Sequence, residues 1–344
     1  MAPCLTLTLP LVIIPFLLML YTLSNFPNTP QTLPSVYHSL ASLPKPCRSW
    51  DVYPDDFYPG GEYVTFPQGR TRYWLIGPEK GKKIILIHGL SIPSLVYRDV
   101  APILASKGYR ILLYDLYGRG YSDAPQTVYD TSLYATQFAL LMQHVGWERA
   151  GVVGVSMGAS IAVAVSDLFP QLISGKVALI ASAGLLESND ISRTVKFMSS
   201  PLVQSFASSF PFRRYVSPPT PSHSPAPQLP HTQIVRLQSA HLPGYNRALA
   251  SSIRFGPIRG QSSSYTNLAK SGRSVLLIHG TEDRTVPYKY ASTIQAHIPS
   301  SELLTVSGAG HDITVTHSEL VTEALLKFFG MKDSWVLPSE SSKT

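Results

Sequence analysis

The chain has 344 residues, of which 44 % are hydrophobic and only 14 % are charged, and its formal net charge is +7. This length accommodates one large α/β domain or two small ones, and the apolar content suffices for a core. The basic residues are scattered and form no run interleaved with aromatic residues, so nucleic acid is not an expected partner. The two cysteines, Cys4 and Cys47, exclude a disulfide framework. No Cys/His cluster indicates a metal site.

Residues 4–23 form an apolar segment without charge. About 20 apolar residues can span a bilayer as a helix, and Pro10 and Pro15 are tolerated in such a helix. A cleaved signal peptide would have a basic N-terminal region and a small-residue cleavage site, and neither is evident here. Residues 1–24 are therefore predicted to be a single-pass membrane anchor of the secretory pathway, with secretion after signal cleavage as the alternative.

Residues 25–61 are rich in proline and serine and are predicted to be a linker, or a strap over the surface. From residue 62 to residue 330, short apolar runs alternate with helical patterns. This alternation predicts an α/β fold with a mostly parallel, doubly wound sheet. The predicted strands cover residues 72–76, 83–88, 110–115, 150–155, 176–181, 274–280 and 303–306. The predicted helices cover about 97–107, 132–145, 157–169, 231–251 and 318–329, with one more between the last two strands. A polar tail at 331–344 is predicted to be disordered.

The alternation of strands and helices is interrupted between residues 185 and 273. This insertion contains aromatic residues, runs of serine and a loop at 211–230 in which seven of twenty residues are proline. An insertion above the carboxyl ends of a parallel sheet is typical of a lid, so a helical cap is predicted here.

A strand of β-branched residues at 150–155 leads into the pattern Gly154-x-Ser156-x-Gly158, and a helix of small apolar residues follows. This is the sequence of a nucleophile elbow, in which a strained turn lifts the serine hydroxyl out of the sheet. The two glycines leave room for the turn. Ser156 is therefore the candidate nucleophile, and the next amide, that of Met157, is the candidate oxyanion donor.

A serine nucleophile needs a base within hydrogen-bond reach and an acid that orients the base. His311 follows the last predicted strand in a glycine-rich loop, and Asp283 follows the strand before it. Their order after Ser156 is the one that this kind of elbow uses. His311 is the candidate base and Asp283 the candidate acid, and the neighbouring Glu282 is the alternative acid.

Several other polar residues follow predicted strands. His88 and His279 each precede a glycine and are interpreted as structural residues that hold loops. Asp115 and Arg119 lie in a turn, which the aspartate side chain is predicted to hold. Gly89 has no side chain, so the amide of Leu90 can approach a substrate and act as a second oxyanion donor with Met157.

Taken together, these residues resemble the α/β-hydrolase superfamily, in its lid-bearing branch of esterases, monoacylglycerol-type lipases and related serine hydrolases. The resemblance is carried, between residues 63 and 330, by His88-Gly89, Asp115 with Gly118-x-Gly120-x-Ser122, Gly154-x-Ser156-x-Gly158, His279-Gly280-x-x-Asp283-x-x-Val286-Pro287 and Gly310-His311. It implies a sheet of about eight strands, a cap at 185–273, a Ser156–Asp283–His311 triad and oxyanion donors at Leu90 and Met157. The Leu90-Ser-Ile-Pro segment departs from the glycine-rich form of many lipases.

The predicted function is hydrolysis of a carboxylic ester through an acyl-enzyme, with no cofactor or metal. The apolar cap and the predicted anchor favour a small hydrophobic or lipid-like ester and a membrane partner. Carbon–carbon cleavage and thioester cleavage on the same triad remain alternatives. A non-catalytic binding protein of the same fold is a third hypothesis, although the complete triad argues against it. Epoxide hydrolases and haloalkane dehalogenases of the superfamily use a carboxylate nucleophile, and the serine sets them aside.

Overall fold

The computed structural model describes residues 5–24, 35–200, 203 and 230–330. The chain divides into two units, residues 1–34 and residues 35–344. Within the first unit, helix α1 extends from Leu5 to Ser24. Pro15 inside it has no amide hydrogen and cannot donate a helical hydrogen bond.

In the described parts of the chain, no helix is long and apolar enough to cross a membrane. This finding contradicts the single-pass anchor and the localisation predicted from residues 1–24.

The described residues of the second unit contain ten strands. They are β1 Val36–Tyr37, β2 Gly61–Phe66, β3 Gly69–Ile76, β4 Lys82–Ile87, β5 Tyr109–Tyr114, β6 Ala124–Pro125, β7 Ala150–Val155, β8 Ile173–Ile180, β9 Ser274–Gly280 and β10 Glu302–Val306. The described helices of this unit are α2 Ser49–Val52, α3 Ala101–Ser106, α4 Thr131–His144, α5 Met157–Leu168, α6 Arg193–Met198, α7 Pro230–His241, α8 Pro243–Phe255, α9 Ser262–Lys270, α10 Lys289–His297, α11 Ile313–Thr316 and α12 Ser318–Gly330.

Eight of these strands form one sheet in the order β10-β9-β8-β7-β4-β5-β3-β2. The pairs β2–β3 and β3–β5 are antiparallel, and all other pairs are parallel. Every residue of the central strand β7 is buried, as its unbroken apolar sequence requires. The mostly parallel α/β sheet predicted from the sequence is therefore confirmed. The two-residue strands β1 and β6 pair separately.

The segment between residues 35 and 60 contributes to the core of the second unit. Leu40 and Tyr53 are fully buried, and Tyr58 is nearly so. The Tyr53 hydroxyl donates to the carboxylate of Asp115 at 3.3 Å. Large aromatic side chains thus pack this part of the predicted linker or strap against the sheet. Residues 25–34 of the predicted segment lie outside the described residues.

The predicted helix at 231–251 is two helices, α7 and α8, which are separated at Leu242. Pro243 is the first residue of α8, where a missing amide hydrogen costs no helical bond, whereas inside a helix it would break one. Both helices contact loops that follow strands of the sheet: Gln238 accepts from the Gly120 amide at 2.7 Å, and Tyr245 donates to the Ser91 carbonyl at 2.8 Å.

The insertion is thus described at 185–200, at 203 and from 230 onwards. Most of the predicted proline-rich loop at 211–230, and the whole polar tail at 331–344, lie outside the described residues.

Candidate active site

The turn between β7 and α5 has the strained geometry that the elbow sequence predicts. Ser156 has φ 57° and ψ −120°, in a region that residues with a side chain rarely adopt. A Cβ atom at Gly154 would overlap the backbone at Gly158, and one at Gly158 would overlap the carbonyl oxygens of Ile87 and His88. Only glycine fits at both positions, so the two glycines let the turn close tightly against β4.

The structure brings the three predicted triad residues together. His311 Nε2 lies 3.0 Å from Ser156 Oγ, and His311 Nδ1 lies 2.7 Å from Asp283 Oδ2. Asp283 lies on the loop after β9 and His311 on the loop after β10, at the same edge of the sheet as the elbow. The imidazole therefore bridges the hydroxyl and the carboxylate, with Nδ1 donating to Asp283 and Nε2 accepting from Ser156.

The carboxylate of Asp283 is fully enclosed and held on both oxygens. Oδ1 accepts from the amides of Thr285 and Val286, each at 2.8 Å, and Oδ2 faces His311. Burial by itself raises the pKa of Asp283, but hydrogen bonding and charge from His311, together with the two amides, outweigh burial and lower the pKa. His279 Nε2 donates to the Val286 carbonyl at 2.8 Å and lies 3.6 Å from Oδ2. The carboxylate is thus held ionised and in one orientation.

Comparison with known proteins agrees with this architecture. A sequence model of the alpha/beta hydrolase fold family matches residues 82–318, which is most of the chain. The chain belongs to the alpha/beta hydrolase fold family. An uncharacterised hydrolase of Bacillus subtilis is 26 % identical over 257 residues, covering 71 % of this chain and 89 % of the relative.

Two solved structures share the fold of this alpha/beta hydrolase. A hydrolase from Pseudomonas aeruginosa has a TM-score of 0.63 at 20 % identity and covers 79 % of this chain and 99 % of that one. A meta-cleavage product hydrolase from Pseudomonas fluorescens has a TM-score of 0.59 at 21 % identity and covers 78 % and 97 %. At such low identity the two likenesses show the fold and nothing further. The superfamily and the fold that the resemblance implied are therefore confirmed, whereas its lid-bearing branch of esterases and lipases stays a prediction.

The predicted oxyanion donors of this alpha/beta hydrolase are the amides of Met157, the residue after Ser156, and of Leu90, in the loop after β4. Met157 is the first residue of α5, so its amide has no acceptor within the helix. A Cβ atom at Gly89 would lie 3.2 Å from the Cβ atom of Ser156, which shows how closely the loop after β4 approaches the serine. The amide of Leu90 follows directly in that loop.

The structural reading of His88 agrees with its contacts. Its Nδ1 donates to the Gly89 carbonyl at 2.9 Å, and its Nε2 accepts from the Leu116 amide at 2.8 Å. The ring is completely buried, and burial lowers the pKa of His88 to about 3, so it is neutral. His88 connects the loop after β4 to the loop after β5.

Asp115 holds its turn as predicted from the sequence. The carboxylate accepts from the amides of Ser94 and Tyr121, each at 2.9 Å, and from the hydroxyl of Tyr53. Burial raises the pKa of Asp115 to about 6, although these hydrogen bonds lower it in part. Glu282, the alternative acid, is exposed, and its neighbour Asp283 faces His311 instead.

Sequence reasoning missed the residues that support the loop after β4 from a distance. Gln238 of α7 and Tyr245 of α8, both in the predicted cap, donate to the Ser91 carbonyl, and Ser252 of α8 accepts from Arg119. These contacts join residues more than 130 positions apart, so no local pattern could reveal them. The one available signal was Arg119, an arginine in a glycine-rich turn of a chain with few charges.

Proposed function

We propose that this alpha/beta hydrolase cleaves carboxylic esters through a covalent acyl-enzyme. Ser156 Oγ attacks the ester carbonyl carbon while His311 Nε2 takes up the hydroxyl proton. The protonated imidazole then gives that proton to the departing alcohol, and the ester C–O bond breaks. Water attacks the acyl-serine by the same route, its proton passing through His311, and the carboxylic acid is released.

The single observation that carries the proposal is the continuous hydrogen-bonded series from Ser156 Oγ through the ring of His311 to Asp283 Oδ2, at 3.0 and 2.7 Å. A serine hydroxyl without a base is a poor nucleophile. Here the base is within reach, and the buried carboxylate favours the Nδ1–H tautomer and stabilises the imidazolium that forms. The pKa of Asp283 is held low, so the carboxylate is available as an anion at neutral pH.

The negative charge on the carbonyl oxygen in the transition state requires donors. The amides of Met157 and Leu90 are assigned this role in the proposal. Met157 supports it through its position at the start of α5, where the helix dipole also favours negative charge. Leu90 supports it through the close approach of Gly89 to Ser156.

Apolar residues in the loops next to Ser156 favour an apolar acyl or alcohol group. The Ala183 amide donates to the Ser156 carbonyl at 3.3 Å, and Leu185 and Leu186 follow in the same loop. Both leucines and Leu90 are half-buried and pack on the core. We therefore include a hydrophobic ester in the proposal, without the membrane anchor that the structure contradicts.

The test is labelling of the folded protein with a fluorophosphonate probe, comparing wild type with Ser156→Ala. Ser106→Ala, an exposed serine on α3, is the matched control. Labelling of wild type and of the control but not of Ser156→Ala is the expected result. Turnover of p-nitrophenyl esters of two to twelve carbons should then fall by at least about 10³-fold in Ser156→Ala.

Two results would contradict the proposal. Absence of labelling in folded wild-type protein would favour a non-catalytic binding protein. Labelling without turnover of any ester, but with cleavage of acyl thioesters or of a diketone, would keep the activated serine and transfer the chemistry to one of the alternatives that the sequence leaves open.

A further inference from the structure

Arg119 is a completely buried cation that lies between the cap and the loop after β4. Its Nε donates to the Leu90 carbonyl at 2.8 Å, and its Nη1 donates to the Tyr117 carbonyl at 2.9 Å and to the Tyr134 hydroxyl at 2.7 Å. Its Nη2 donates to Ser252 Oγ on α8 at 2.9 Å. Within the described residues no carboxylate forms an ion pair with it. A buried charge is costly, and here neutral oxygens offset that cost together with the rings of Tyr129 and Tyr134, whose centroids lie 5.7 and 5.8 Å from the guanidinium carbon.

The hydrogens of this cluster can be assigned without conflict. Ser252 Oγ donates its single hydrogen to the Ala248 carbonyl at 2.7 Å. The Tyr134 hydroxyl, 2.7 Å away, must then donate to Ser252 and accept from Arg119. Outside its own turn, the guanidinium donates to the loop after β4, to α4 and to α8. Three elements together therefore fix the position of Arg119.

The loop at 89–91 has all three of its carbonyl groups held by side chains. His88 donates to the Gly89 carbonyl at 2.9 Å, Arg119 to the Leu90 carbonyl at 2.8 Å and Tyr245 to the Ser91 carbonyl at 2.8 Å. The Gly89 carbonyl and the Leu90 amide belong to one peptide unit, and the Leu90 carbonyl belongs to the next one. The two peptide planes that meet at the Leu90 Cα, one of which contains the Leu90 amide, are therefore fixed in orientation.

We propose that Arg119 is a positioning residue for the second oxyanion donor, which it aligns through the Leu90 carbonyl, and that Ser252 connects this alignment to the cap. The inference rests on the proposed function, because it gives the Leu90 amide its role there. A donor helps only when it is directed at the place where the oxyanion forms, and small misplacements are costly. Arg119 also places a positive charge behind the loop, in a region of low dielectric constant.

The experiment compares Arg119→Gln and Arg119→Lys with wild type. The matched control is Arg273→Gln, another buried arginine that donates to carbonyls, Pro170 and Ser174, away from the 89–91 loop. The readouts are kcat and KM for a p-nitrophenyl ester and the rate of fluorophosphonate labelling. The value of kcat is calculated from the concentration of titrated Ser156, so that unfolded protein does not count.

Arg119→Gln should lower kcat and the labelling rate by about 10- to 100-fold with KM within twofold, since loss of an oxyanion donor outright costs about 10²- to 10³-fold. Arg119→Lys should recover part of this, because an ammonium can still donate to the Leu90 carbonyl. Arg273→Gln should leave kcat per titrated serine unchanged. If Arg119→Gln does not fold, Arg119→Lys and Ser252→Ala test the proposal instead. In each of these two variants kcat should fall several-fold.

Three results would overturn the inference: an unchanged kcat in the Arg119 variants, a loss confined to KM, or an equal loss in Arg273→Gln. Each of these three results counts only if the fluorophosphonate probe labels Ser156 of the wild-type protein. Absence of labelling in wild type would instead contradict the proposed function itself, so the two failures are distinguishable.

Discussion

The Asp283 carboxylate holds His311 Nδ1 at 2.7 Å with one oxygen, while its other oxygen accepts two backbone amides. The side chain of Asp283 has no exposed surface, whereas that of His311 is 22 % exposed. The acid is thus fixed by the loop after β9, and the partly exposed imidazole that it orients faces Ser156 Oγ.

The first prediction concerns this acid. Asp283→Asn should lower kcat by about 10³- to 10⁴-fold with little change in KM, because an amide cannot stabilise the imidazolium and favours the wrong tautomer. Glu282→Gln, the exposed neighbour, should retain wild-type kcat. The measurement is steady-state hydrolysis of a p-nitrophenyl ester. A large loss in Glu282→Gln with full activity in Asp283→Asn would assign the acid to Glu282.

The second prediction concerns the elbow. Gly158→Ala should destabilise the fold by about 3 kcal/mol or more, because the added methyl group overlaps two carbonyl oxygens at the end of β4 and the backbone must move. Gly330→Ala is the control: its added methyl group would lie 3.8 Å from the Tyr109 hydroxyl, in ordinary contact. Urea unfolding of the three proteins measures the difference. Equal midpoints for Gly158→Ala and wild type would show that the elbow can relax.

The third prediction is a pH dependence from His88. The pKa of this buried ring is about 3 in the folded protein, against about 6.5 when unfolded. Between these pH values only the unfolded chain takes up a proton at this site. The contribution of neutral His88 to the free energy of unfolding is therefore complete above pH 6.5 and is lost as the pH falls. Protonation of His88 in the unfolded chain should lower the free energy of unfolding by about 1 kcal/mol for each pH unit in this range.

The check is the free energy of unfolding at pH 7, 6 and 5 for wild type and His88→Asn. The variant is expected to be less stable at pH 7, but its stability should fall by less as the medium becomes acidic. Parallel pH profiles for the two proteins would mean that His88 is not the group responsible.

The fourth prediction concerns a contact between α7 and the loop after β10, which carries His311. His231 Nε2 on α7 lies 3.4 Å from Asp312 Oδ2, next to His311. Since the Asp312 side chain is 46 % exposed, a double-mutant cycle of His231→Ala and Asp312→Ala should give a coupling below about 1 kcal/mol. A coupling of several kcal/mol, measured by urea unfolding, would show that the pair holds the cap in place.

Local sequence patterns predicted the strands and the elbow, because the conformation of each depends mainly on residues that are neighbours in the sequence. The buried strands are continuous apolar runs, and Ser156 with its two glycines satisfies a steric condition within five residues. Pro243 shows the limit of this reasoning: the predicted single helix is divided there, although both halves were recognised as helical. Tyr53 and Tyr58 became core residues because Trp74 of β3 offered both rings a surface.

The sequence by itself was sufficient for the α/β class, the elbow and the order of Ser156, Asp283 and His311, because parallel strands bring their carboxyl ends to one edge. It was misleading for residues 1–24, where apolar composition suggested a membrane anchor that the structure contradicts. Only the tertiary structure determined the environment of Arg119. Its partners come from separate elements, Leu90 before it and Ser252 far after it, and hydrogen bonds between distant segments leave no periodic trace in a sequence.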